Sequence, residues 1–307
     1  MPRLDPNVLL SWATEPISPV AIVAVLLTAT YLVLFIRARN RRRAPAPGRA
    51  VMFILGCAIM FAATTTGLQT YSRELLSAFM LQQLTLLLIV PPLLILGSPG
   101  TVLLRGLPHH GLSLRVLRLA IGVLRSPFAR LILHPLAVVP LLLIPLFGLY
   151  LTGAANALLS TEAGRIALQL TFVVLGTVTM LPLVTADPLP RRTSYVARVF
   201  DAFIEMQIHA AFGLTLMFSD APLVAAFATP SAEFDTTALR DQQLAGGLVW
   251  TYGELPVAII LLVSIVRWQR QDSRKAARAT REGDRRGDSE LEDYNAYLQR
   301  LQQRNGR

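Results

Sequence analysis

The chain has 307 residues, 53% of them hydrophobic, and a formal net charge of +10. Apolar blocks alternate with arginine-rich joints, a pattern that excludes a soluble globular core and sets aside nucleic acid, the partner a pI near 10.7 would otherwise suggest. A single cysteine, Cys57, excludes a disulfide framework and any CxxC metal or redox motif.

In chain order, apolar blocks at 18–36, 50–69, 77–96, 131–152, 166–185, 200–219 and 244–267 each approach the roughly 20 residues a helix needs to cross hydrocarbon. The predicted fold class is all-α, a polytopic membrane protein with a bundle of about seven transmembrane helices over residues 1–267. A basic tail, 268–307, follows. The first block exceeds a signal h-region, and its basic cluster (Arg37, Arg39, Arg41, Arg42, Arg43) follows it instead of preceding it, so it reads as a retained span entering from outside. With the N-terminus outside, strict alternation leaves only Arg3, Arg73, Arg165 and Arg240 of the 29 Lys and Arg on the outer side. The C-terminus is then cytoplasmic, and the basic joints face anionic headgroups of the bilayer.

Between the third and fourth blocks, 97–130 interleaves Leu112, Leu117, Leu119, Val123 and Leu124 with Arg115, Arg118 and Arg125, the pattern of an interfacial amphipathic helix. His109 and His110 in that loop read as solvated imidazoles. Pro91 and Pro92 are expected to bend the third span or end it early, freeing carbonyls that a neighbour must satisfy. The tail reads as frayed until Ser289-x-x-Glu292, a capping-box pattern opening a short helix with Leu291, Tyr294, Leu298 and Leu301 on one face. That face suits the membrane or a partner. No internal repeat is visible, so the inverted-repeat signature of many secondary transporters is missing.

Ionisable groups inside hydrocarbon are costly and need a partner or a function. Asp201, Glu205 and His209 stand at successive i, i+4 positions of the sixth span and share one face, with Met206 and Met217 nearby. Glu254 in the seventh span falls at about the depth of His209, and His134 in the fourth at about the depth of Asp201 and Glu205. One reading is a small intramembrane site that holds a metal ion or passes a proton. The other is interhelical hydrogen bonding that fixes the bundle. Cys57 and Met60, an i, i+3 pair of soft sulfurs, and Gln82 and Gln83 are weighed the same way, as packing residues and cross-helix hydrogen bonds. No nucleophile with a base, Gly-rich phosphate loop or HExxH motif is present, so no enzyme chemistry is expected.

Several segments taken together resemble the multi-span CtaG family of caa3-type cytochrome c oxidase assembly factors. They are Ser77-Ala-Phe-Met-Leu-Gln-Gln-Leu84 running into Ile89-Val-Pro-Pro-Leu-Leu-Ile-Leu-Gly-Ser-Pro99, Leu133-His-Pro-Leu136, Ala186-Asp-Pro188 with Arg191, Met206-Gln-Ile-His-Ala-Ala-Phe-Gly213, Asp241-Gln-Gln-Leu-Ala-Gly-Gly-Leu-Val-Trp250 and Tyr294-Asn-Ala-Tyr-Leu298. The resemblance implies a plasma-membrane protein that acts with cytochrome c oxidase subunits, at the stage of copper delivery or metal-centre assembly. His134 and His209 match family histidine positions, and copper would be held by His209, Glu205 and Met206, with His134 and Glu254. Asp187 and Asp241 also match; as structural residues they read as turn and helix-end chemistry. The chain departs from the family pattern at the start of the third span, where two histidines are common and this sequence has Phe79 and Gln83. Two rival readings are a transporter for a metal or small solute, and a scaffold for oxidase subunits that binds no ligand.

Overall fold

The computed structural model describes residues 11, 17–42, 44–108, 110–134, 137–184, 187 and 195–305. Arg3, Arg43, His109, Pro135, Leu136, Ala186, Pro188 and Arg191, named above, lie outside them. The described residues are helical throughout their ordered elements and contain no strand, so the fold is all-α.

Helix α1 (Pro19–Asn40) starts at Ser18, whose hydroxyl accepts from the Val20 amide at 3.3 Å. Helix α2 (Pro47–Thr65) ends four residues before the apolar block does. Thr64, Thr65 and Thr66 turn their hydroxyls back onto the carbonyls of Met60, Phe61 and Ala62, at 2.9, 2.8 and 2.8 Å. This competing hydrogen bonding loosens a helix, and Thr66 leaves it in an extended conformation before α3 (Gly67–Glu74).

Helix α4 (Leu76–Leu96) is the core of the bundle: 72% of its apolar window is buried, the largest share of any long apolar helix among the described residues. Pro91 and Pro92 neither end it nor break it. The helix widens into a π-helical turn at Thr85–Ile89 and runs on through Val90–Leu96. A proline ring at position i collides with the carbonyl at i−4 of a regular helix, and a wider turn makes room for it. The carbonyl released opposite Pro91 is that of Leu87, and Gly176 of α10 (Glu162–Val184) packs directly against it. A Cβ at Gly176 would fall on that backbone oxygen.

Beyond α4 the chain forms α5 (Pro99–Gly106), α6 (Gly111–Arg125) and α7 (Pro127–Ile132). The amphipathic helix read from the sequence is α6, with Leu117 buried and Arg115, Arg118 and Arg125 exposed. The fourth block yields a shorter helix than expected, α8 (Val138–Leu151), itself widened at Ile144–Gly148 around Pro145. The helix begins only at Val138: the residue before a proline avoids the helical conformation, which acts on His134 before Pro135, whereas Pro140 sits in the first turn of α8, where a proline is tolerated. At its other end Gly153 takes φ +79 and turns the chain into α9 (Ala154–Leu159). Among the described residues six helices are thus long and apolar enough to cross a membrane, and α8 falls short of that length.

Helix α11 (Tyr195–Phe218) and α12 (Ala238–Asn305) complete the chain. The crossing of α11 over α12 is made at Gly213 and Gly246: a Cβ on either would come within 2.8 Å or less of the other's carbonyl oxygen. The chain divides into two compact units, Met1–Leu261 and Leu262–Arg307. The second unit is helical up to Asn305, including the stretch before Ser289 that the sequence suggested was frayed. Residues 268–289 contain no proline, and their six arginines and three alanines are good helix formers that carry the helix through Gly283 and Gly287. Leu291, Tyr294 and Leu298 are exposed on it.

Two acids tie the ends of the bundle together. Neither α4 nor α5 has a side-chain cap of its own, and an N-terminus leaves amide donors unmatched. Asp241 of α12 supplies the cap for α4, accepting from the amides of Leu76 at 2.6 Å and Ser77 at 3.3 Å and from the Ser77 hydroxyl. Asp187 does the same for α5, accepting from Gly100 N at 2.9 Å, Thr101 N at 3.1 Å and the Thr101 hydroxyl. Asp241 acts as a helix-end residue, though for α4 and not for its own helix α12, and Asp187, read as turn chemistry, caps α5.

Candidate functional site

Along α11 the i, i+4 spacing delivers what it implies: Asp201, Glu205 and His209 lie on one face and are 2%, 0% and 0% exposed. The face packs into the bundle next to α4 and α12. A Cβ on Gly253 of α12 would sit 3.4 Å from Leu84 of α4 and 4.0 Å from Cδ2 of His209, so the three helices converge at the imidazole. One turn further along α11, Phe212 packs edge-on to Phe147 and tilted against Tyr150 of α8, with ring centroids 5.4 and 5.2 Å apart. The Tyr150 hydroxyl donates to Oε1 of Gln83 on α4.

The hydrogen-bond inventory of this region is unusual for a protein interior. Nδ1 of His209 lies 2.9 Å from the carbonyl oxygen of Glu205. A carbonyl can only accept, so Nδ1 carries a proton, and in the neutral ring Nε2 then presents a lone pair. That Nε2 has no hydrogen-bond partner among the described residues, nor has either carboxylate oxygen of Glu205, nor Nε2 of Gln83. Buried polar groups are paired in the great majority of cases, and an intramembrane carboxylate without a partner is costly. An imidazole lone pair and a carboxylate on adjacent turns of one helix, both without a protein partner, form a donor set suited to a cation.

Other residues of the predicted site fall differently. Met206 is partly buried beside this face, and Glu254 follows Gly253 on α12 but is itself partly exposed. His134 lies just beyond α7, partly exposed. Among the described residues no three His, Cys, Asp or Glu side chains converge as a metal cage would require, so His134 and Glu254 do not complete a set with Glu205 and His209. Cys57 and Met60 are buried in the packing of α2. Of the two positions that depart from the family pattern, Phe79 is buried with its ring 5.4 Å from that of Phe227, and Gln83 adjoins the site through Tyr150. Tyr150 was missed in the sequence, where a lone phenol in an apolar block carries no periodic signal.

A second polar cluster lies on α3, α4 and α10. Gln82 donates to the Ala63 carbonyl and to Gln69 Oε1, each at 2.7 Å, and Gln169 donates to the same Gln69 oxygen at 2.8 Å and to Gln82 Oε1 at 3.4 Å. Ser18, at the start of α1, donates to Gln169 Oε1 at 3.3 Å. The expectation that Gln82 hydrogen-bonds across helices is met in full here.

Comparison with known proteins gives this arrangement a context. The chain is 30% identical over 299 residues, 96% of its length, to uncharacterized proteins of Mycobacterium bovis and Mycobacterium tuberculosis, and 29% identical over 288 residues to one of Mycobacterium leprae. It spans 44–45% of the length of these relatives, so less than half of each. No solved structure matches it. The model of the cytochrome c oxidase caa3 assembly factor family matches residues 29–271, which take in α2 to α11, most of α1 and the membrane-crossing part of α12, and the chain belongs to that family.

Proposed function

We propose that this chain serves the assembly of a haem-copper cytochrome c oxidase in the plasma membrane, in a non-catalytic role, by holding copper transiently at His209 and Glu205 and passing it on. Copper is cargo in this reading and the oxidase subunits are the recipients. The observation that carries it is the pair of fully buried groups with no hydrogen-bond partner among the described residues: Nε2 of His209 and the Glu205 carboxylate. Imidazole and thioether are good donors for copper, and Met206 follows Glu205 directly on α11. Two strong donors without a third make a weak, open set, which suits release better than storage. Glu254, and His134 in a rearranged state, are the remaining groups that could join it.

The rival scaffold reading, contact with oxidase subunits and no metal, is favoured by the lack of a three-residue cluster among the described residues. Copper analysis separates the two. Protein purified in detergent and exposed to Cu(I) under reducing conditions is expected to retain about one copper per chain, and His209→Ala and Glu205→Gln are each expected to weaken retention about tenfold or more. Wild-type protein that retains no copper but co-purifies with oxidase subunits would leave the scaffold reading standing.

A further inference from the structure

A recess of about 400 Å³ opens between α5, α6 and the end of α10, on the side where α4 and α10 both finish. Its walls are Leu103, Leu104, Leu117, Ile121, Leu124 and Leu181, with Arg125 at the edge. We propose that this recess binds one acyl chain of an anionic phospholipid, whose phosphate is held by Arg118 and Arg125.

Three observations carry the assignment. First, α6 is divided into three arcs by its 100° step per residue. Leu117, Ile121 and Leu124 line the recess; Val116, Leu119 and Val123 are 45%, 69% and 59% exposed on one flank; Arg115, Arg118 and Arg125 form the other. An apolar flank left uncovered by protein next to an arginine stripe matches the boundary between acyl chains and headgroups. Secondly, the sequence from Gly97 to His134 carries Arg105, Arg115, Arg118, Arg125 and Arg130 and not one Asp or Glu. No carboxylate pairs with Arg115, Arg118 or Arg125 among the described residues, and all three are exposed, so their guanidinium groups are open to an anion from outside the protein. Thirdly, the one acid that lines the recess, Asp187, is already engaged as the cap of α5 through Gly100 and Thr101. Its charge is answered by those donors and by the helix terminus, which lowers its repulsion of a phosphate.

The test uses the full chain, delipidated in detergent and titrated with phosphatidylglycerol or with phosphatidylcholine of the same acyl chains, occupancy being read by native mass spectrometry. Phosphatidylglycerol is expected to bind about tenfold more tightly, the scale that one or two basic side chains near a headgroup supply. The double variant Arg118→Gln/Arg125→Gln should bring it down to the phosphatidylcholine level, and Ala120→Phe, which fills the recess, should weaken both lipids. Melting temperatures in lipid-free detergent report whether each variant folds; if Ala120→Phe does not, the arginine variant decides alone. Equal binding of the two lipids overturns the proposal, as does complete displacement of phosphatidylglycerol by inorganic phosphate, which would mark a simple anion site. A dimer in detergent that saturating phosphatidylglycerol leaves intact and Ala120→Phe breaks would give the recess to a second copy of the chain, and also overturns it.

Discussion

The two buried polar clusters of this bundle are built from similar side chains and end in opposite states. Around Gln69, Gln82 and Gln169 the amide nitrogens of Gln82 and Gln169 both have acceptors, Gln69 Oε1 accepts from both, and the network ties α1, α3, α4 and α10 together. Around His209 and Glu205, the imidazole Nε2 and both carboxylate oxygens have no donor among the described residues, and the amide nitrogen of nearby Gln83 has no acceptor there. Glutamine brings both a donor and an acceptor to an interface, so three of them can close on themselves; a carboxylate and a lone-pair nitrogen cannot. The contrast teaches that polarity inside a membrane bundle is not itself a sign of function. What separates the two clusters is whether the hydrogen-bond inventory closes.

Three substitutions would break or sharpen this contrast. The largest expected effect is at Gln82: Gln82→Leu strands the Ala63 carbonyl and opens the network, and should cost about 1.5 kcal/mol, near the upper end for interhelical hydrogen bonds in membranes. Unfolding in mixed micelles would register the loss, while copper retention stays at the wild-type level. A smaller change of opposite sign is expected at Glu205. Because no protein donor answers the carboxylate, Glu205→Gln removes a buried charge without breaking a bond, and copper-free protein should gain about 1 kcal/mol of stability. A clear loss of stability in the same unfolding assay would mean that Glu205 has a structural partner and that the two clusters do not differ in kind. The smallest effect belongs to Ser18→Ala, which removes only a long 3.3 Å bond at the rim of the glutamine cluster; about 0.5 kcal/mol or less is expected from thermal melts.

Much of this was legible in the sequence, for reasons that can be named. Span-length apolar blocks report helices because the hydrocarbon thickness fixes their length. The 131–152 block misled because apolarity does not register the local conformational bar that Pro135 imposes on the residue before it. Pro91 and Pro92 misled in the other direction, since a π-helical turn accommodates them at the cost of a carbonyl that Gly176 covers. The shared face of Asp201, Glu205 and His209 followed from spacing alone. The capping of α4 by Asp241 and of α5 by Asp187 did not, because each acid acts on a helix more than eighty residues away in the chain.

By itself the sequence determined the all-helical membrane class, the helix order, the family and the helix face on which the ionisable groups lie, because each of these depends on residue type and local period. Only the tertiary structure decided which polar groups are satisfied. Gln83 and Gln82 are neighbours of the same type, yet both Gln82 polar atoms have partners while the Gln83 Nε2 is left without one. That outcome depends on which side chains of α3, α8, α10 and α11 arrive beside each of them, and such meetings between distant segments leave no mark on local sequence.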